Sequence, residues 1–388
     1  MSTPISPVNN HYEVAIIGAG PAGSTCALAL KNSGLRVLMI DKATFPRDKI
    51  CGDAVSAIVR KVLREIDPSL EQEMLEKMPH ANITKAKLYS PRFESLEIDF
   101  ELEGHCIRRI DFDNWLFTKA LTNSNLTVLQ HTALKEIQSK TNIIELKTQQ
   151  GETYTADIII GCDGAHSVVA KSLAHFTINK KHYSGAVRQY YRNVKNLEGN
   201  ALEVYFLKGY LPGYFWIFPL SSSEANIGFG MLSETISAQK INLKKCLNQI
   251  IHQIPEVAER FKDAEALEDI KGFGLPLGSK QYTIAGNRYM LCGDAAGLID
   301  PFTGEGIETA MESGKFAAEQ VMQSFASNDF SENTLMAYQR RVHKKMSPAF
   351  SDHYKLQRIL GNRVWLINAL ISVGNIPYVK RNIPRWFY

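Results

Sequence analysis

The sequence predicts an α/β protein: a Rossmann-type dinucleotide-binding domain, an antiparallel β-sheet inserted into it, and a C-terminal helical region. Three observations lead there. An apolar strand, a Gly-x-Gly-x-x-Gly turn, a helix-forming run and a second apolar strand follow one another from Val14 to Asp41. From Tyr183 to about Gly230 the pattern changes to short, aromatic-rich strands separated by Gly, Pro and Ser. An apolar strand beginning at Tyr289 then ends in Gly293-Asp294, and a small-residue loop opens a helix at Ile307.

The bulk numbers bound the class. A chain of 388 residues makes one large or two intimate domains. With 45% hydrophobic and 22% charged residues it has the composition of a soluble enzyme with a full core. A net charge of +4 is too small to argue for nucleic acid. The six cysteines, Cys26, Cys51, Cys106, Cys162, Cys246 and Cys292, include no C-x-x-C pair, so reduced thiols in a cytoplasmic protein are expected, with no disulfide framework and no metal. The N-terminus is polar, with no segment of signal-peptide type before the first strand. No stretch reaches the roughly 18 continuous apolar residues of a spanning helix.

Residues Met1–Asn10 read as a polar lead. In the turn that follows the first strand, Gly18 permits the tight bend, Gly20 lets the backbone approach a pyrophosphate, and Gly23 lets the helix pack closely on the strand. With Ala22 they form a cofactor cradle at a helix N-terminus, whose free N–H groups suit phosphate. Asp41 follows Gly18 by 23 residues and is placed to accept hydrogen bonds from an adenosine ribose. The loop after it carries Cys51 and Gly52 beside the ligand crevice of a doubly wound sheet. For Cys51 a place as a small buried hydrophobe is the other reading. Helical spacing is expected over Ala54–Ile66, with Asp53 as N-cap.

Alternation over Ala81–Glu101 predicts strands of a meander. Arg108 and Arg109 precede a helix whose start lies near Asp111 or Asp113. Arg109 would bind phosphate or a flavin edge, or else belong to a solvated basic turn. Leu126–Leu129 and Leu134–Leu146 read as further strands, and the backbone near Leu134 would contact adenine. A buried strand over Ala156–Ile160 ends in Asp163-Gly164, again at the carboxyl edge of the sheet, with Ser167 near a helix start.

In the inserted region Val187–Val194, Ala201–Leu207, Tyr214–Leu220 and Ala225–Met231 read as strands. Alternation puts Tyr214, Trp216 and Phe218 on one face and Phe215 and Ile217 on the other. The aromatic face either packs on the core or walls a large hydrophobic substrate. Ile241–Phe261 reads as a helix and Gly272–Gly278 as a loop. Asp294 is placed to hydrogen-bond a ribityl hydroxyl. Gly304 and Gly306 open the helix Ile307–Phe325, and the N–H groups of Gly306 and Ile307 would face the electron-rich pyrimidine end of a flavin.

In this order the signals resemble the FAD-binding scaffold of the para-hydroxybenzoate hydroxylase superfamily, from about Tyr12 to Phe325. Within it, Lys49-Ile50-Cys51-Gly52-Asp53-Ala54, Arg109-Ile110-Asp111-Phe112-Asp113 and Tyr214-Phe215-Trp216-Ile217-Phe218-Pro219 resemble the geranylgeranyl reductase family. The Tyr-x-Trp-x-Phe-Pro string is the most specific; in that family it lines the lipid cavity, and the Cys-Gly loop lies near the flavin. One departure is Leu211, where the family often carries Pro; here Pro212 follows. The resemblance implies a Rossmann-type FAD-binding domain from residues 1–80, 106–180 and 281–330. The antiparallel substrate sheet would come from 81–105 and 181–280, with a helical region over 331–388.

The activity implied is reduction of isolated carbon–carbon double bonds in a prenyl or other hydrophobic lipid chain. Cys51, Tyr214 or an ordered water would supply the proton. NAD(P)H or ferredoxin, docking transiently, or a chemical reductant would supply the electrons, since no second dinucleotide motif is visible. A flavin monooxygenase or halogenase is the alternative, although halogenases carry Trp-x-Trp-x-Ile-Pro where this chain has the Tyr214 string, and use a lysine not placed here. A non-catalytic flavoprotein that carries or senses a lipid is a third reading. The tail has two readings as well. From His353 to Tyr388 it holds six Lys or Arg and no Asp or Glu around the apolar run Val364–Val373. It would lie on an anionic membrane surface, as a peripheral contact, or cap the substrate sheet.

Overall fold

The computed structural model describes residues 10–376 and Val379; the remainder of the polar lead and the cations Lys380, Arg381 and Arg385 lie outside the described residues. The strand His11–Ile17 stands at the centre of the first sheet. Val37–Ile40 and then Leu126–Leu129 extend it in parallel on one side, Thr153–Gly161 and then Tyr289–Leu291 on the other. Ala285–Gly286 closes one edge, and the hairpin Leu134–Ser139/Ile144–Thr148 pairs antiparallel with Thr153–Gly161. Val14, Ile16, Val37, Met39, Ile158 and Ile160 have no exposed surface, as continuous apolar runs in a parallel sheet covered on both faces require. The chain fills one side of His11–Ile17 first and returns to the other, so a switch point opens at the carboxyl ends of His11–Ile17 and Thr153–Gly161.

Two helices cover this switch point. Pro21–Ala29 leaves the glycine turn, and Ile307–Ser327 crosses it closely. The close approach depends on missing side chains: a Cβ at Gly23 would overlap the Gly18 carbonyl, and one at Gly314 would overlap the Ala22 carbonyl. The helix Glu332–Leu360 packs Leu335, Tyr338, Val342 and Met346 into the same core.

The second sheet has nine strands and is antiparallel except at one junction. There Ala201–Tyr205 runs parallel to Ala81–Tyr89, joining the hairpin Ala81–Tyr89/Ser95–Cys106 to the strands Tyr183–Arg192, Tyr214–Pro219 and Glu224–Leu232. One face holds Phe215, Ile217, Ile227 and Phe229, covered by the helices Leu243–Gln253 and Pro255–Phe261. The opposite face looks toward the first sheet.

The structure corrects three readings. Ala54–Val55 is a short strand against His105–Cys106, and the helix begins at Ala57 after Ser56. Asp53 is therefore no helix cap: it takes the left-handed conformation, φ 66°, and is fully buried. The helical run Ile241–Phe261 is two helices, because Pro255 has no N–H to continue the first and instead starts the second. The expected loop Gly272–Gly278 is largely the strand Lys271–Pro276, paired with Tyr183–Arg188. Gly274 suits that pairing, since a Cβ there would overlap the Tyr183 ring. Among the described residues no helix is long and apolar enough to cross a membrane.

Candidate functional site

Between the two sheets lies a cavity of about 590 Å³. Every predicted site residue except Gly23 lines it. Gly23 faces the strand behind, where its missing side chain sets the helix–strand distance.

One end of the cavity suits a pyrophosphate. Gly18 has φ +100°, and a Cβ there would overlap the Cys162 carbonyl, so only glycine fits. The helix Pro21–Ala29 has no side-chain cap, which leaves its first N–H groups for a ligand. Arg47, not singled out in the motif for this role, stands over Gly20: a Cβ on Gly20 would lie 3.3 Å from its Nη2. Asp113, fully buried, holds two guanidiniums at once, Arg47 at 2.9 Å and Arg109 through a bidentate pair at 2.6 and 2.7 Å. One carboxylate against two cations leaves the cavity wall net positive here. The Asp113 charge keeps Arg109 cationic despite its burial.

Asp41 sits at the end of Val37–Ile40, and its two oxygens accept the Ala19 and Ala43 N–H groups at 2.7 and 2.8 Å. It braces the glycine turn, and each oxygen keeps a lone pair for a ribose. Beyond it Thr132, Ala133 and Leu134 line the adenine end. Asp163 accepts the Val168 N–H at 2.6 Å, and Ser167 caps the helix Val168–Leu173; burial holds the Asp163 pKa up.

At the opposite end Asp294 faces Lys49 at 3.8 Å, and the Lys49 ammonium lies 3.6 Å from the Phe273 ring. Burial pulls the Lys49 pKa down, which Asp294 partly offsets. Gly306 begins the helix Ile307–Ser327 with no side-chain cap, so a second helix N-terminus opens on the cavity. Gly304 has φ +77°, and a Cβ on it would stand 2.9 Å from the Tyr214 hydroxyl.

Tyr214, Trp216 and Phe218 face the cavity from one strand, while Phe215 and Ile217 are buried behind it. The alternation read in the sequence therefore puts three aromatic rings on the wall. A hydrogen-bond chain locks this wall to the Cys-Gly loop. Trp216 Nε1 donates to Asn226 Oδ1 at 3.0 Å, and Asn226 Nδ2 donates to the Cys51 carbonyl at 2.7 Å and to Asp53 at 2.8 Å. Asp53 also accepts from the Tyr190 hydroxyl at 2.8 Å and the Arg109 N–H at 3.2 Å. Burial pushes the Asp53 pKa up to about 6 against these bonds.

Two residues weighed as proton donors are on the wall. Cys51 is half-buried and faces the Arg109 guanidinium, a cation the sequence did not bring to it. Tyr214 donates its hydroxyl hydrogen to the Thr303 carbonyl at 2.8 Å, and burial raises its pKa. The sequence reading passed over Arg188 and Glu305. Arg188 has no exposed surface, pairs with Asp48 at 2.8 Å and also with Glu268, and stacks 3.8 Å from the Tyr190 ring. Glu305 was hidden by the two glycines that flank it, which drew the reading to the backbone.

A glycine cradle with a cation above it, an acid for each sugar and two uncapped helix ends fit FAD in shape and charge. Residues 11–345 match the family described as the FAD binding domain. The chain is 30% identical over 349 residues to a digeranylgeranylglycerophospholipid reductase of Methanococcoides burtonii, covering 86% of this chain and 80% of that one. It is 28% identical over 322 residues to a menaquinone reductase of Mycobacterium tuberculosis, covering 80% of this chain and 77% of that one. A solved geranylgeranyl bacteriochlorophyll reductase-like protein from Thermoplasma acidophilum superposes with a TM-score of 0.81 at 23% identity, covering 93% of this chain and 91% of that one. A flavin-dependent brominase superposes at 0.78 and 21% identity, covering 97% and 93%. At these identities the two superpositions speak for the fold.

Proposed function

The chain belongs to the FAD binding domain family and, within it, to the geranylgeranyl reductases, and from that premise we propose that it reduces isolated carbon–carbon double bonds in a prenyl or similar hydrophobic lipid chain. The observation that carries this reading is the wall of Tyr214, Trp216 and Phe218 facing the cavity that the FAD cradle opens into. An apolar, π-lined wall suits a polyisoprenoid better than a polar metabolite.

FAD, when bound and reduced, supplies hydride chemistry. The chain's own residues do the rest. Gly18, Gly20 and Arg47 hold the pyrophosphate, and Asp41 and Asp294 hold the two sugar portions. The N–H groups of Gly306 and Ile307 stabilise negative charge on the ring. An unactivated alkene offers no carbonyl to polarise, so the barrier falls through positioning and exclusion of water. The aromatic wall does both, and the Trp216–Asn226–Asp53 chain keeps it fixed against the Cys-Gly loop.

The electron donor is a nicotinamide cofactor or ferredoxin that docks transiently. The protein works at the cytoplasmic surface of a membrane. Gln357 lines the cavity, and its helix leads through Gly361 into Val364–Gly374, whose outer face carries exposed Trp365, Leu370 and Val373. Arg363 stands at the start of that helix. A lipid chain entering from the membrane would pass beneath it.

Anaerobic single turnover tests the function. The holoenzyme is reduced with dithionite, geranylgeranyl diphosphate is added, and flavin reoxidation and product mass are followed. Reoxidation without oxygen, with two hydrogen masses gained per bond, is expected. Reoxidation only after oxygen is admitted, with one oxygen atom gained, would make the protein a monooxygenase and overturn the reading.

A further inference from the structure

We propose that Glu305 is the general acid that protonates the alkene. The proposal rests on the reductase reading above. Glu305 lies between the two glycines that open the helix Ile307–Ser327, and it lines the cavity on the side of the aromatic wall. Its carboxyl makes no hydrogen bond with any described residue, unlike the neighbouring Asp300 and Glu308. Asp300 accepts the Phe302 and Thr303 N–H groups at 2.8 and 2.9 Å and pairs with His353 at 2.6 Å; Glu308 accepts from Ser56. Tyr214, the nearest hydroxyl on the wall, has its hydrogen committed to the Thr303 carbonyl.

An unpaired carboxyl on the cavity wall, with Asp300 and Glu308 beside it, has its pKa pushed up toward the protonated form. Burial and the two like charges act in the same direction and outweigh the helix N-terminus, which favours the anion. The other charged groups around this cluster are Glu312, which adds negative charge, and Lys345, which removes some of its effect. A neutral acid next to an apolar wall is the form that can donate a proton at pH 7.

The step balances. The alkene π bond breaks; one carbon receives an electron pair as hydride from reduced flavin, and the other receives the Glu305 proton. Two C–H bonds form, the flavin is oxidised, and Glu305 is left as a carboxylate. A proton from solvent then restores the acid. The Asp300 N–H donates to the Glu305 backbone carbonyl at 2.8 Å, which fixes the loop that carries both residues. Asp300, paired with His353 at 2.6 Å, holds the His353 pKa up.

Two measurements on the FAD-loaded protein test this. Infrared difference spectra of oxidised, substrate-free wild type against Glu305→Gln at pH 7 should contain the carbonyl band of a protonated carboxylic acid, present only in wild type. Loss of no such band overturns the proposal. In anaerobic single turnover with geranylgeranyl diphosphate, Glu305→Gln should slow flavin reoxidation at least 100-fold with flavin affinity unchanged, the scale of a lost general acid. Glu305→Asp should recover part of the rate and keep the alkaline limb of the pH profile that the glutamine variant loses. If Glu305→Gln fails to fold, the band is sought by titrating wild type, where its absence below and above neutral pH overturns the proposal. Wild type that reoxidises alongside an equally fast Glu305→Gln removes Glu305 alone. Wild type that never reoxidises with the prenyl chain removes the reductase reading itself.

Discussion

Asp53 is where a single residue ties the two halves together. Its carboxylate takes three buried donors, the Arg109 N–H, the Tyr190 hydroxyl and the Asn226 amide. Asp53→Ala would strand all three, at about 1–3 kcal/mol each before relaxation; at pH 7 removal of the buried anion offsets part of this, so a net loss of about 1–3 kcal/mol is expected in urea unfolding, larger toward pH 4. The same group sets a pH dependence. Its folded pKa of about 6 lies above its ordinary 3.8, so the stability it contributes is full below about 4 and is lost as pH rises through 6. The shift of about 2 units corresponds to about 3 kcal/mol. Wild type should therefore lose stability across that window by a term that Asp53→Ala lacks; parallel pH profiles of the two proteins would contradict this. Nothing local announces the role. Asp53 stands two residues past a cysteine and before a helix, which reads as a cap, but its partners Tyr190 and Asn226 lie 137 and 173 residues away. The place of Arg47 over the glycine turn, and Glu305, were missed for a similar reason: each depends on a neighbour that only the folded chain supplies.

At the scale of elements, the nucleotide half was legible because its parts are consecutive. Strand, glycine turn, helix and acid follow one another within Val14–Asp41, and each needs only the next to make sense. The aromatic strand was legible too, because period-two alternation survives any sheet that buries one face. What stayed hidden were pairings between distant segments, such as Ala54–Val55 with His105–Cys106 and Lys271–Pro276 with Tyr183–Arg188. Glycine-rich and two-residue strands carry no periodicity of their own. The packing of helix on helix was equally silent, and it yields a test. Gly314 sits in the middle of Ile307–Ser327 with the Ala22 carbonyl where a Cβ would be. Gly314→Ala should push the helix off Pro21–Ala29 and displace both uncapped N-termini from their shared ligand. A drop of at least 10-fold in FAD affinity is expected from fluorescence titration of the apoprotein, with far-ultraviolet circular dichroism retained. FAD binding as tight as wild type would show that the helices yield without moving the cradle.

For the whole molecule, the outer surface of the last described helix sets it apart. Val364–Gly374 buries Ile367 and Ile371 against Leu96 and Ile98 of the second sheet, so it is anchored. Yet Trp365 is 69% exposed, Leu370 45% and Val373 47%, on the side away from that core. A capping helix should bury its apolar face and turn polar residues outward. This one is apolar on both sides, with Arg363 at its start and the Lys380, Arg381 and Arg385 cations farther along the sequence. That combination suits shallow insertion at an anionic bilayer, where apolar side chains enter and the cations meet headgroups. The inner face caps the sheet, and the outer face is the one proposed to meet lipid. Replacing the outer residues separates the two without disturbing the anchor. Trp365→Ser/Leu370→Ser should cut co-sedimentation with phosphatidylserine-containing vesicles at least 10-fold while leaving the thermal midpoint unchanged. Raised salt should weaken wild-type binding in part, since only the cation contribution is screened. Unchanged co-sedimentation of the double variant would remove the membrane contact and leave the helix as a cap alone.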